Sequence, residues 1–482
     1  MGARIRSLIK IFAAATLAGW PFAASAQRNS AIDAGRAVRA AAPDAGVPSA
    51  ESPLSEQLEA AARGQAAPAS AAADGGTPST EPSLSEQLDA AAGKPVPSAG
   101  VPAAASPQIA SRGSFQSLNP DIAVIATGAA GFSQRAPLLL AGDDPDLKGS
   151  LTEHSAGITL QELELAFQSI VDPYFRADVF LTIPNLNGLE VEEAFLTTTS
   201  LPALQVKAGV FRSAFGRQNG MHLHVQDFVE RPLINAAYLG TDGLRPPGAQ
   251  LSWLLPFPFF LQLMGEVFSI TAPDVPPPGS YPHLPSFGGG QRTDLTYAGE
   301  LKLFLPPSES VSIFGGLNVA TGVSPGLVQG DATIHQGART ILYGVDLYVK
   351  YKPPNQAVTY FSLAWTTEYF LRRIGSTATE DGLTDGGLYT QLVMQIARRW
   401  FVGLRQDLLG VPSSDLQPLT SRTTLDLTFY PSEFSKLRGS VQYDAVDSQA
   451  AIIQQLALPH VNNFAAYIQF EVAIGAHGAH KF

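Results

Sequence analysis

The sequence predicts an all-β protein, namely a transmembrane antiparallel β-barrel of about 16 strands that follows a disordered N-terminal tail. Three observations support this fold class. Apolar and polar residues alternate with a period of two from about residue 118 to the C-terminus. The connections between these segments alternate between tight and long. After the N-terminal segment, no apolar run is long enough for a membrane-spanning helix.

The first 26 residues have the features of a secretory signal peptide. A basic start is followed by an apolar stretch at 11–22 and by the small residues 24–26, so cleavage would leave Gln27 as the mature N-terminus. A membrane anchor is the alternative, but this stretch is shorter than the ~20 residues that a spanning helix needs. We therefore expect export, and a membrane-embedded form of this chain must be a closed barrel because only a closed ladder pairs every backbone group in lipid.

Residues 27–115 are rich in Ala, Pro, Ser and Gly and contain too few large apolar side chains to form a core. The segment 55–61 recurs almost unchanged at 85–91, which indicates two short helical turns in a proline-rich tether. The tail is a periplasmic spacer or a cell-wall contact, or else a solvated linker without a partner. The barrel domain then spans residues 116–482.

The alternation is clearest in the last predicted strand, where Phe464, Ile468 and Phe470 share one parity and Gln469 and Glu471 the other. An apolar face opposite a polar face is typical of a barrel whose outside meets lipid and whose inside meets water. A soluble β-sandwich is the alternative, but it needs no asymmetry between tight and long connections. The sixteen predicted strands are 119–128, 158–169, 174–183, 190–199, 203–211, 248–255, 259–270, 295–305, 311–321, 339–352, 358–371, 388–399, 401–409, 422–430, 436–445 and 464–475.

The predicted connections form two groups. The long connections are 129–157, 212–247, 271–294 and 446–463. The tight turns lie at 171–173, 200–202, 256–258, 306–308 and 431–433, and aromatic residues gather around them, as in the interfacial girdle of a barrel.

Composition excludes several classes of function. The chain has no Cys, which excludes disulfides, thiolate metal sites and a lipidated N-terminus, and its net charge of -11 argues against a nucleic-acid partner. A G-x-S-x-G pattern occurs at 322–326, but Pro325 lacks the backbone N–H that an oxyanion hole takes from the residue after the nucleophile. We predict no catalytic residue and no enzymatic activity.

Four stretches resemble the porin superfamily that includes the phosphate-selective porin O/P-like proteins. They are the opening strand 118–125, the strand end 207–216, the segment 228–232 that follows it and the turn 431–438. The resemblance covers residues 118–482 and implies a sixteen-stranded, trimeric porin-like barrel. By strand parity, however, inward acids outnumber inward bases, whereas a phosphate-selective porin is expected to carry a ladder of arginines.

The stretches 216–224 and 238–244 are similar to a subgroup of porin-like proteins sometimes labelled zinc-regulated outer-membrane receptors. Within the first stretch, His222 and His224 are two residues apart, so on a strand both imidazoles would point the same way. Asp227 follows closely and would complete a zinc site. The alternative is that these side chains only pack the loop inside the barrel mouth; no other cofactor is predicted.

The functional hypothesis is an outer-membrane porin for passive diffusion of small hydrophilic solutes or ions. The loop 212–247 would fold inward and set the pore constriction, with a transverse field between bases on the loop and acids on the wall. These residues are Arg212, Arg217, Arg231, Arg245, Glu190 and Glu192.

The expected partners of such a porin are outer-membrane lipid, the permeating solutes and the barrel-assembly machinery, which would read the terminal Phe482. The alternative function is a non-conducting barrel that serves as an adhesin, an assembly platform or a metal-binding receptor. A lumen plugged by paired side chains would distinguish it from a porin.

Overall fold

The computed structural model describes residues 120–134, 156–240, 242–270, 286–289, 291–329, 332–354, 360–414, 419–447 and 462–475. The export segment 1–26, the tail at 27–115 and the terminal Phe482 lie outside the described residues, so the predictions for them stay predictions.

The first strands are β1 (Asp121–Ser133), β2 (Ala156–Ile170), β3 (Phe175–Pro184), β4 (Glu190–Thr198), β5 (Leu204–Val210), β6 (Pro247–Leu254), β7 (Phe260–Ser269), β8 (Leu295–Ser308) and β9 (Val311–Val323). The later ones are β10 (Leu327–Gln329), β11 (Ala332–Ile334), β12 (Arg339–Tyr351), β13 (Ser362–Ile374), β14 (Leu383–Ala397), β15 (Trp400–Ser414), β16 (Thr420–Ser432), β17 (Ser435–Val446) and β18 (Asn463–Gly475).

Sixteen of these strands close into one antiparallel barrel, in which each strand pairs with its neighbours along the chain and β1 pairs with β18. The closing register runs from Ala123 opposite Gly475 to Ser133 opposite Ala465. Each of the sixteen predicted segments overlaps one barrel strand, so the predicted fold class is confirmed. The short strands β10 and β11 pair only with each other and form a hairpin between β9 and β12 that the sequence did not predict.

The polarity of the barrel is inverted relative to a soluble protein. On β18, Ile468 and Ile474 are 60% and 67% exposed, whereas Gln469 and Glu471 on the opposite face are 2% and 1% exposed. Burying charge while exposing large aliphatic side chains is unfavourable in water, but it is favourable when the outer surface faces hydrocarbon. The barrel therefore spans a membrane with its strands.

The two ends of the barrel differ in the length of their connections. One end has turns such as 171–174, 398–399 and 433–434, and the other has the connections 211–246 and 270–294. Exposed aromatic residues circle the short-turn end, where an amphipathic ring suits the membrane interface. They include Tyr174, Trp253, Phe257, Phe259, Tyr351, Tyr360, Trp400 and Phe434.

Some strand ends differ from the predictions. The predicted turn at 306–308 is wrong by two residues, because β8 continues to Ser308 and its register with β9 shifts between Leu305 and Ser308. The two intervening prolines therefore need no ladder hydrogen bond. Strand β14 begins at Leu383 rather than 388, since the pairing of Asp385 with β13 extends the ladder through a Gly-Gly segment of low strand propensity.

Two further elements lie among the connections. The helix α1 (Leu233–Leu239) is buried along its whole length and packs against β13, β14 and β15. The β10–β11 hairpin is joined to the 375–382 connection, where the backbone N–H of His335 donates to Glu380 Oε2 at 2.7 Å and lowers the pKa of Glu380. Among the described residues, no helix is both long and apolar enough to cross a membrane.

Candidate functional site

The connection between β5 and β6, residues 211–246, lies inside the barrel and is called the inward loop below. Apart from Thr241, which is not described, most of its side chains are buried, and its polar groups bond to strands on several sides of the lumen. A segment of this length that left the barrel mouth would expose its apolar residues to water, so burial against the inner wall stabilises the inward position.

Asn219 fastens the two ends of the inward loop to each other. Its Nδ2 donates to the carbonyl oxygens of Ser213 at 2.7 Å and Leu244 at 3.1 Å, and its Oδ1 accepts from the Leu244 N–H at 2.8 Å. The side chain is 0% exposed, so removing it would leave buried backbone groups unpaired. Gly243 has φ +81°, and a Cβ there would lie 2.4 Å from Asn219 Oδ1, which explains why this position carries glycine.

The first part of the inward loop is anchored to the wall from β7 to β13. The Ala214 N–H donates to Glu266 of β7 at 2.9 Å, and the Gly216 N–H donates to Asn318 of β9 at 3.0 Å. On β13, Glu368 accepts from the N–H of Gln218 at 2.7 Å.

The second part of the inward loop is anchored by basic side chains of the opposite wall, which donate to loop carbonyls. Arg405 of β15 donates to the Glu230 carbonyl at 2.8 Å, and Arg438 of β17 donates to the Gln226 carbonyl at 2.8 Å. Because bonds to charged groups are worth roughly 1.5–3 kcal/mol each, these contacts hold the loop across the lumen.

A dry apolar cluster fills part of the lumen. Leu233, Ile234 and Tyr238 of α1 pack there with Phe370 of β13 and Leu409 of β15, and all five are nearly inaccessible to solvent. These wall positions have inward parity, yet they are apolar, unlike the polar lining expected from a diffusion pore. The cluster therefore excludes water from this part of the lumen's cross-section.

Beside the cluster, four arginines of the wall are fully buried: Arg372, Arg405, Arg422 and Arg438. The first three form ion pairs with aspartates at 2.6–2.8 Å. This part of the wall therefore carries a row of arginines whose charges are neutralised by partners. Buried charges paired in this way are held by their hydrogen bonds and do not attract ions.

A cavity of about 550 Å³ lies on the other side of the inward loop. Its lining is mostly polar and comes from β2 to β8 and from the loop. The charged lining residues are Arg176, Asp178, Glu193, Lys207, Arg212 and Lys302. Within this lining, bases outnumber acids, which is the reverse of the excess of acids that strand parity predicted for the lumen as a whole.

The structure brings together some of the predicted constriction residues. Arg212 contacts Glu192, and Arg245 Nη2 lies 3.5 Å from Glu190 Oε2. Arg217 instead stacks over the ring of Tyr348 on β12, with its Cζ 3.8 Å from the ring centroid.

Arg231 lies beside Arg212, because the Nη1 atoms of both arginines are within 3.4 Å of the position that a Cβ at Gly243 would take. Its Nη1 is buried and has no hydrogen-bond partner among the described residues. Of the predicted residues, Arg212, Arg231 and Arg245 on the loop therefore lie near Glu190 and Glu192 on the wall, and Arg217 lies apart from them.

His222 and His224 meet at Glu164 of β2. Their Nδ1 atoms lie 3.2 Å and 3.1 Å from Glu164 Oε2. The predicted strand geometry is wrong, because residues 223–225 form a single 3-10 turn that aims both imidazoles at the same carboxylate. Asp227 is bound elsewhere and accepts a hydrogen bond from Gln391 of β14 at 3.1 Å.

Two strand irregularities create this cluster. The register shifts between Phe180 and Leu181 opposite β4, so Glu192 is the extra residue of a bulge and both Glu192 and Glu193 are buried. Strict alternation would have turned Glu193 towards lipid. A second shift makes Gln161 of β2 the extra residue. Adjacent glutamates in a strand were the signal in the sequence that could have indicated the bulge.

The inverted polarity, the closed ladder and the aromatic ring define the class of this protein as a porin-like β-barrel of the bacterial outer membrane. The chain belongs to the same family as an uncharacterised protein of Aquifex aeolicus (strain VF5), to which it is 32% identical over 380 residues, covering 72% of this chain and 74% of that protein. No family model matches the chain.

Several solved structures are similar in fold. An anion-selective porin from Comamonas acidovorans is 11% identical, with a TM-score of 0.46, over 74% of this chain and 99% of that chain. The outer-membrane channel DcaP of Acinetobacter baumannii is 11% identical, with a TM-score of 0.48, over 75% and 99%. OprB of Pseudomonas putida is 10% identical, with a TM-score of 0.47, over 74% and 94%.

Proposed function

We propose that this protein is a narrow porin through which small hydrophilic solutes or ions diffuse passively, with the inward loop as the constriction. The observation that carries the proposal is the polar cavity of about 550 Å³ between the loop and the β2–β8 wall. The dry cluster and the paired arginines occupy the other side of the lumen, so solutes would pass along the polar side only. Outer-membrane barrels with a polar, water-filled interior act as diffusion channels.

The path can be tested by single-channel recording with cysteine labelling, because the wild-type chain contains no Cys. Gly220 is an exposed loop residue of the cavity lining, and an added Cβ there meets no atom within 4 Å. Gln262 of β7 lines the same cavity from the wall. We expect Gly220→Cys and Gln262→Cys to conduct like the wild type until a charged thiol reagent is added, which should then reduce the conductance of both.

The matched control is Leu425→Cys on β16, whose side chain is 48% exposed on the lipid-facing surface. The reagent should leave its conductance unchanged. Open channels that stay unaffected in both cavity variants would reject this path, and removal of the inward loop without a rise in conductance would reject its role as the constriction.

A second function is favoured by the packed interior. The inward loop contacts the wall on several sides, and a dry cluster surrounds α1, as in a barrel that is closed by its own loop. Such a barrel would act as a non-conducting platform. Its signature in the same recording would be silence from folded wild-type protein, and conductance only when the loop is removed.

A further inference from the structure

We propose that Glu164, His222 and His224 form a binding site for a divalent transition-metal cation of the zinc type, which ties the inward loop to the wall of the barrel. The proposal does not depend on whether the barrel conducts. It rests on the positions of the ligand atoms, on buried oxygens without hydrogen-bond partners and on the hydrogen bonds around the site.

The ligand atoms already have the spacing of a coordination shell. Glu164 Oε2 lies 3.2 Å from His222 Nδ1 and 3.1 Å from His224 Nδ1, and the three ligand atoms lie within 4.8 Å of one another. Zinc bonds to nitrogen and oxygen are about 2.0–2.1 Å long, so tetrahedral coordination holds ligand atoms about 3.3 Å apart.

Two carboxylates at the site each have an oxygen atom that accepts no hydrogen bond. Glu164 Oε1 and Glu192 Oε2 are buried and have no hydrogen-bond partner among the described residues. The Glu192 atom lies 3.3 Å from His222 Nδ1, and the side chains of the two glutamates are 1% and 3% exposed. A buried carboxylate oxygen that accepts no hydrogen bond is costly, and a bound cation would satisfy it. Glu192 lies next to the position that a fourth ligand would take.

The second nitrogen of His222 supports the same role. Its Nε2 lies 2.7 Å from Glu193 Oε2, so with Nδ1 on a metal the imidazole would donate its remaining N–H to this carboxylate. A carboxylate behind a histidine fixes the tautomer and the ring orientation of metal-ligating histidines. The ring also packs against Phe180, with a centroid distance of 4.7 Å.

The ligand set selects the class of cation. Two imidazoles with one carboxylate suit zinc and similar borderline ions, whereas calcium and magnesium prefer shells made of oxygen. The ligands come from β2 and from the start of the inward loop, so the bound ion would join two parts of the chain about 60 residues apart. An ion in this position would have a structural role.

The test is metal binding by the purified full-length mature barrel in detergent. We expect equilibrium dialysis against buffered Zn²⁺ to give one ion per chain, and Co²⁺ to give the visible absorption of tetrahedral coordination. Glu164→Gln and His224→Ala should each weaken binding by at least a hundred-fold, and Glu193→Gln by about ten-fold, as measured for residues behind metal ligands.

The matched control is Asp227→Asn, which changes the carboxylate that sequence spacing indicated but that accepts a hydrogen bond from Gln391 of β14 instead. It should bind Zn²⁺ like the wild type. Heat-modifiable mobility in electrophoresis would show that each variant is folded. A folded wild-type barrel that takes up no Zn²⁺, or a Glu164→Gln variant that binds as tightly as the wild type, would overturn the proposal. Silence in conductance recordings, in contrast, would affect only the porin function.

Discussion

Two regions of the barrel wall differ in what they present to the lumen. Along β13–β17, four arginines are fully buried and lie close to aspartates, and α1 packs against β13, β14 and β15. Along β2–β8, charged side chains such as Lys207 and Lys302 line a polar cavity. Charged residues in the lumen therefore do not by themselves define a pore. On one side of the barrel they are buried in a packed interior, and on the other side they line an accessible cavity.

The largest effect is expected from breaking an ion pair in the packed region. Asp385 binds Arg372 through two hydrogen bonds of 2.8 and 2.6 Å, and both side chains are 0% exposed. Asp385→Ala would leave a buried guanidinium without its carboxylate, and we expect a loss of about 3–5 kcal/mol in the free energy of unfolding. Guanidinium-induced unfolding from detergent, followed by tryptophan fluorescence, would measure it.

The comparison variant is Asp178→Ala in the cavity region, where the partner Arg176 is 45% exposed. Water can solvate this arginine once its carboxylate is gone, so the expected loss is about 1 kcal/mol or less. Equal losses in the two variants would contradict the distinction between a packed and an accessible side.

A smaller effect is expected where the inward loop docks into the wall. The Phe228 ring sits over Gly403 of β15, and a Cβ at this glycine would lie 2.9 Å from the ring. Gly403→Ala should displace the ring and destabilise the loop by about 1–3 kcal/mol. Limited proteolysis of the loop in the folded barrel, together with noise in single-channel current, would report this change.

Gly439 of β17 provides the control for that substitution. It is also a glycine of the barrel wall, but an added Cβ there meets no atom within 4 Å. Gly439→Ala should leave both proteolysis and current unchanged. If the two alanine variants behave alike, the loop is not held by this contact.

The contrast between the regions also explains what could be predicted from the sequence. The strands were predictable because lipid outside and polar groups inside impose a period of two, which persists in β18 from Phe464 to Ile474. Strand ends were less predictable, since cross-strand pairing extends β14 over glycines whose own propensity is low.

The candidate site was harder to predict for two physical reasons. The buried position of Glu193 depends on a bulge, and one extra residue reverses the side that every later side chain faces. The meeting of His222 with Glu164 depends on how a long loop folds across the lumen, which no local pattern determines. The sequence therefore indicated the two histidines but not Glu164, and the carboxylate that it indicated, Asp227, bonds to Gln391 instead.

The smallest effect, and the most direct test of the accessible region, concerns ion selectivity. Lys207 and Lys302 line the cavity, and the side chain of Lys302 is 36% exposed. Replacing both by Gln should move the reversal potential in a salt gradient towards cation preference. In a water-filled space each charge contributes on the order of 1 kcal/mol or less, so the ratio of anion to cation permeability should fall by about five-fold at most per lysine. Lys352→Gln, just beyond the end of β12, removes one positive charge outside the cavity lining, as each single lysine replacement does inside it, and should have no effect. A shift of equal size in this control would mean that overall charge, and not the cavity, determines which ions pass.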